Sequence, residues 1–131
     1  MNYNIKEFKE LRDRYNSITL EEIENIFKEC DENRAYYLTG FGNDRSCTLC
    51  KSAREGYNCE KCIWWWYNPI KNNSFDATCQ YMKLAKTYYA IDEANTPKEL
   101  LKAFRNRAKL MTEVINKYEF INNEYLYFSV K

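Results

Sequence analysis

Two Cys-x-x-Cys pairs, Cys47/Cys50 and Cys59/Cys62, stand with eight residues between them in the run CTLCKSAREGYNCEKC. No other feature of the chain limits its fold so tightly. Two residues between cysteines allow a tight turn that aims both sulfurs at one point. Two such turns supply four thiolates in the tetrahedral arrangement that zinc takes. The N-terminal MNYNIKEFKELRDRY alternates charge where a signal peptide would be apolar, so a cytoplasmic protein is expected, in a compartment where disulfides are disfavoured. Iron–sulfur clusters also take four thiolates, usually with other spacings or a proline after the last ligand. A redox Cys-x-x-Cys normally comes once, on a thioredoxin-like βαβ unit that this sequence does not display. The expected cofactor is therefore a structural Zn2+ held by Cys47, Cys50, Cys59 and Cys62.

Cys79 is an alternative ligand. It falls in the first turns of an expected helix, where free N–H groups and the helix dipole favour a thiolate. Ser46, Lys51, Arg54 and Lys61 would surround the site with donors and positive charge. A closed site of four cysteines keeps no open coordination position, so its metal staples the chain and does not activate water.

The remaining sequence reads as a mostly helical scaffold. Ile5, Phe8, Leu11 and Tyr15 recur at helical spacing over residues 3–15. Thr19 and Glu22 form a capping box before Leu20, Ile23, Phe27 and Cys30, which predicts a helix over 20–30 with Cys30 as a small buried hydrophobe. Ala35–Thr39 reads as a short strand ended by the turn residues of GFGND. A helix is expected from Ser74 or Asp76 to about Ala94. Thr96, Pro97 and Glu99 then mark the start of another, with a core face of Leu100, Leu101, Phe104, Ala108, Met111 and Ile115 reaching to about Tyr118. Leu126, Phe128 and Val130 alternate with Tyr125 and Tyr127, so a C-terminal strand is expected to pair with 35–39. The predicted class is α+β: one predominantly helical domain over 1–131, with a four-cysteine zinc-knuckle region and a short two-stranded sheet. It divides into an N-terminal helix pair (1–32), the knuckle region (33–73), and two long helices with a terminal strand (74–131).

The run Cys-Thr-Leu-Cys, a short spacer, Cys-Glu-Lys-Cys and a later lone cysteine, over residues 47–79, resembles small cysteine-rich phage proteins of the CxLC…CxxC…C type. Ile63 stands where that pattern would carry proline. The resemblance implies a phage or mobile-element origin, with the host cytoplasm as location, and a structural metal. It implies no activity.

The sequence contains no His, which removes the commonest general base and the usual partner of a nucleophilic Ser or Cys. The acidic pairs Asp31/Glu32 and Asp92/Glu93 are the nearest thing to a metal-dependent catalytic set, and their spacing does not separate them from solvated helix residues. The chain is accordingly expected not to be an enzyme. Two binding readings remain. Trp64, Trp65, Trp66 and Tyr67 lie in a segment, 45–71, whose bases exceed its acids by three; Lys102, Arg105, Arg107 and Lys109 belong to 98–109, with an excess of four. Basic side chains meet phosphates and aromatic faces stack on unpaired bases, which points to nucleic acid. A sequence pI near 7.5 argues instead for a protein or ribonucleoprotein partner, and Tyr, Trp and Arg are the residues that anchor such interfaces. The leading expectation is a zinc-stapled protein that binds and modulates a host macromolecule, for example as an inhibitor of a nuclease or another defence effector. Nucleic-acid binding through the Trp run and the basic helix is the alternative, and a metal-dependent enzyme the third reading.

Overall fold

A computed structural model describes residues 4–40, 63–67 and 85–130, with Trp65, Ala85 and residues 123–130 described by backbone alone. Six helices occupy these residues: α1 (Ile5–Ser17), α2 (Leu20–Glu29), α3 (Arg34–Thr39), α4 (Ile63–Tyr67), α5 (Ala85–Glu93) and α6 (Pro97–Val130). α6, 34 residues long and about 51 Å at 1.5 Å per residue, is the axis on which the others pack. α1, α2, α4 and α5 all lie against it.

The first helix buries Phe8, Leu11 and Tyr15, the stripe that three- and four-residue spacing predicts. Tyr15 stacks on Phe104 of α6 with ring centroids 5.4 Å apart. Phe104, Ala108, Met111, Val114 and Ile115 continue that core along α6. α1 stops at Ile18, whose extended backbone (φ −62°, ψ 129°) turns the chain directly into the next cap. There the Thr19 side chain accepts from the Glu22 backbone N–H at 3.2 Å, as the capping-box pattern requires. Arg14 Nη2 donates to Glu22 Oε2 at 2.9 Å. This hydrogen bond, with the Thr19 contacts behind it, holds the Glu22 carboxyl below its ordinary pKa. Ile23 fixes α2 on the core. Cys30 is the C-cap of α2 and a half-buried free thiol, not a core residue.

Among the described residues there is no strand, and the α+β expectation with its two-stranded sheet is corrected to an all-helical architecture. Both expected strands are helices. Residues 35–39 belong to α3, which left-handed residues bound at each end: Asn33 at φ 60° and Gly40 at φ 79°. Ala35 and Leu38, three apart, pack against the core, while Tyr36 and Tyr37 remain exposed. Thr39 donates to the Ala35 carbonyl at 2.7 Å, and Arg14 Nε donates to the Leu38 carbonyl at 2.9 Å. Strand propensity depends on neighbouring strands to pack against, and this segment finds helices instead. At the C-terminus, helix continues through 119–130. Once a helix is nucleated each added residue costs little, and no Gly or Pro occurs between Lys98 and Lys131 to stop it.

Thr96 caps α6 as expected. Its hydroxyl accepts from the Glu99 N–H at 3.2 Å, and Glu99 Oε2 accepts from the Asn95 N–H at 3.1 Å. No helix among the described residues is long and apolar enough to cross a membrane.

Candidate functional site

Cys47, Cys50, Cys59, Cys62 and the alternative ligand Cys79 lie outside the described residues. Their donor chemistry, four thiolates with no competing His in the chain, suits a tetrahedral zinc ion. Among the described residues no group of three or more acidic or Cys side chains is placed to hold a metal.

The helix that follows Cys62 is described, and it is tied firmly into the core. Ile63 is fully buried and its backbone N–H donates to the Asn4 side-chain oxygen at 2.8 Å. Asn4 therefore spends its side chain on α4 and leaves the first turn of α1 without a side-chain cap. Trp64 is 2 % exposed. Its indole meets the Phe8 ring edge-to-face at 4.9 Å, and the Arg107 guanidinium lies 4.1 Å from its ring centroid. Trp66 is half-buried and T-shaped against Tyr118 at 4.9 Å, and Lys117 Nζ sits 5.4 Å from the Tyr67 ring. Trp64 is thus a wedge between α1 and α6, with Trp66 and Tyr67 packed beside Tyr118 and Lys117 of α6.

The basic helix divides in the same way. Arg107 is 2 % exposed and donates to Thr87 Oγ1 at 2.7 Å, joining α6 to α5. Arg105 reaches across to α1, where Nη1 donates to the Tyr15 carbonyl and Nη2 to the Ile18 carbonyl at 2.7 Å. These two arginines are struts of the fold. Lys102 and Lys109 are exposed. Among the expected partner-facing residues whose side chains are described, there is no single shared surface: Trp64 and Arg107 are interior, Arg105 is spent on α1, and Lys102 and Lys109 are exposed on α6.

A different set does converge. The turn from α2 into α3 and the corner from α5 into α6 enclose a groove of about 490 Å³, lined among others by Asp31, Glu32, Arg34, Tyr36, Tyr88 and Asp92. Its members come from stretches about sixty residues apart in sequence. The acidic pairs were visible there, but not the fact that Asp31, Glu32 and Asp92 line one groove. Arg34 is held aside, with Nε donating to the Cys30 carbonyl at 2.7 Å and its guanidinium 3.7 Å from the Phe27 ring centroid. Tyr37, 61 % exposed, meets Tyr36 at 5.6 Å on the rim. Comparison with protein-family models, curated proteins and solved structures gives no match to this chain.

Proposed function

We propose that this chain is a non-enzymatic, zinc-stapled binding protein that docks on a host macromolecule and modulates it, with a protein as partner. The observation that carries this reading is the aromatic and aliphatic surface left over once the core is closed. Tyr36, Tyr37, Tyr89, Phe120 and Ile121 are large side chains between 39 % and 62 % exposed, in a chain whose interior already holds Phe8, Trp64 and Phe104. Exposed tyrosines supply broad, rigid contact area at little entropic cost, which is why they anchor protein interfaces. The nucleic-acid alternative loses support because Arg105 and Arg107 are committed inside the fold, which leaves lysines on α6 as point charges without the fork that grips phosphate. The absence of His from the sequence supports a role without acid–base catalysis.

The test is capture from host extract by the full, zinc-loaded chain, with and without nuclease treatment, beside a mobility-shift assay on single-stranded DNA and RNA. The expected result is a defined protein partner retained after nuclease. A salt-sensitive shift at micromolar protein with no retained partner would replace protein by nucleic acid.

A further inference from the structure

Resting on the zinc-staple reading, we propose that Asn4 is a two-position clip, which holds the exit of the cysteine loop while the metal is bound and turns back to cap α1 when it is lost. The helices α1, α2 and α6 each open on a cap residue with a glutamate three positions on: Asn4 and Glu7, Thr19 and Glu22, Thr96 and Glu99. At α2 and α6 the cap forms in the ordinary way, with the threonine hydroxyl accepting from the glutamate N–H at 3.2 Å in each. α1 departs from the pattern. The Asn4 carbonyl accepts from the Phe8 N–H at 2.9 Å, which puts the residue at the N-cap, but its side chain makes no cap hydrogen bond. Asn4 Oδ1 accepts instead from the Ile63 N–H at 2.8 Å, 59 positions further along the chain.

In this conformation the oxygen serves Ile63 and forgoes the Glu7 N–H. The Ile63 N–H belongs to the first turn of α4, where backbone donors have no partner inside the helix. It is buried, so leaving it bare is costly. Asn4 is itself only 4 % exposed. The cap is within reach by rotation about one backbone bond: φ is −81° at Asn4 and −95° at Thr19, while ψ is 47° at Asn4 and 159° at Thr19. Ile63 follows Cys62 directly, so a thiolate held by metal fixes the segment that delivers this N–H. With that hold gone, the oxygen keeps a partner by returning to the Glu7 N–H. α1 stays on α6 in both states through Phe8, Leu11 and Tyr15, and only its tie to α4 is exchanged. A residue without a cap pattern on its own helix would be a fixed brace; Asn4, with Glu7 three positions on, is not.

The test is amide hydrogen exchange on the ¹⁵N-labelled full chain, zinc-loaded and after the metal is stripped by a chelator. The expected result is a transfer of protection: the Ile63 amide slow with zinc and fast without it, the Glu7 amide the reverse. The Leu11 and Tyr15 amides should stay slow in both states. Asn4→Ala should bind zinc about fivefold more weakly, read by competition with a chromophoric chelator, because an unpartnered buried N–H costs more than a cap whose donors reach water. Thr19→Ala removes a cap of the same kind from α2 and should leave zinc affinity unchanged. An Ile63 amide that stays slow after stripping, a Glu7 amide that gains nothing, or equal zinc affinities in wild type and Asn4→Ala would overturn the clip and leave the staple standing. A wild-type chain that takes up no zinc removes the staple reading, and the clip with it.

Discussion

Arg105 and Arg107 stand two positions apart on α6, and neither is available to the solvent-facing role that a basic helix advertises. Arg105 closes the end of α1, where the final carbonyls of a helix have no partner within the helix. Its two donors take the Tyr15 and Ile18 carbonyls at once. Lysine would keep the charge but not the fork, so Arg105→Lys is expected to cost about 1–2 kcal/mol, read as a lower urea midpoint with the slope unchanged. Glu22 offers a test in pH. Its carboxyl is held below the ordinary glutamate pKa, first by the Arg14 hydrogen bond. A lowered folded pKa means stability that is fully present above the unfolded value and lost as pH falls through the folded one. The pair is about 40 % exposed, and solvent screening keeps its worth to fractions of a kcal/mol. A comparison of wild type and Glu22→Gln by thermal melting from neutral pH downward should show the two curves converging at acid pH. Parallel curves would mean the Arg14 contact does not stabilise the fold.

At the scale of elements, the helix boundaries rest on a few cap residues. Thr96→Ala removes the hydroxyl that accepts from the Glu99 N–H and should lower stability by about 1 kcal/mol. Gly40→Ala forces a Cβ into the left-handed region at φ 79° and should cost about 1–2 kcal/mol. Both are measured by chemical denaturation. The Thr19 and Thr96 caps were legible in the sequence because a capping box is a local event, settled by residues three apart, whereas Gly40 was read as the end of a strand. The amphipathic stripes of α1, α2 and the first two-thirds of α6 were legible for the same reason. Residues 35–39 and 122–130 were misread because Tyr-, Val- and Phe-rich alternation records a preference for packing, and only the neighbours decide whether a sheet exists to satisfy it. The candidate groove could not be read at all: Asp31 and Asp92 come to one groove only when α5 folds back on α6. The Trp run was legible as aromatic, while the burial of Trp64 depends on Phe8 and Arg107 arriving from distant parts of the chain.

For the whole molecule, the decisive relation is between the proposed zinc site and the core. α4 begins one residue after Cys62, and its first two residues, Ile63 and Trp64, are among the most buried in the chain. A metal held by Cys59 and Cys62 would fix the entry of that wedge. Zinc near one per chain by elemental analysis is therefore expected, and its chelation should lower the melting temperature and shift Trp emission to the red as Trp64 loses Phe8 and Arg107. Emission unchanged after zinc is stripped would separate the staple from the core. The packing of α1 on α6 has a further consequence for how the protein is made. Phe8, Leu11 and Tyr15 leave the ribosome well before their partners at Phe104–Ile115, which are translated about a hundred codons later, roughly 5–20 s at ordinary elongation speeds. During that interval the nascent chain carries an apolar stripe that still lacks its partners on α6, so α1 is a natural client for chaperones bound at the tunnel exit.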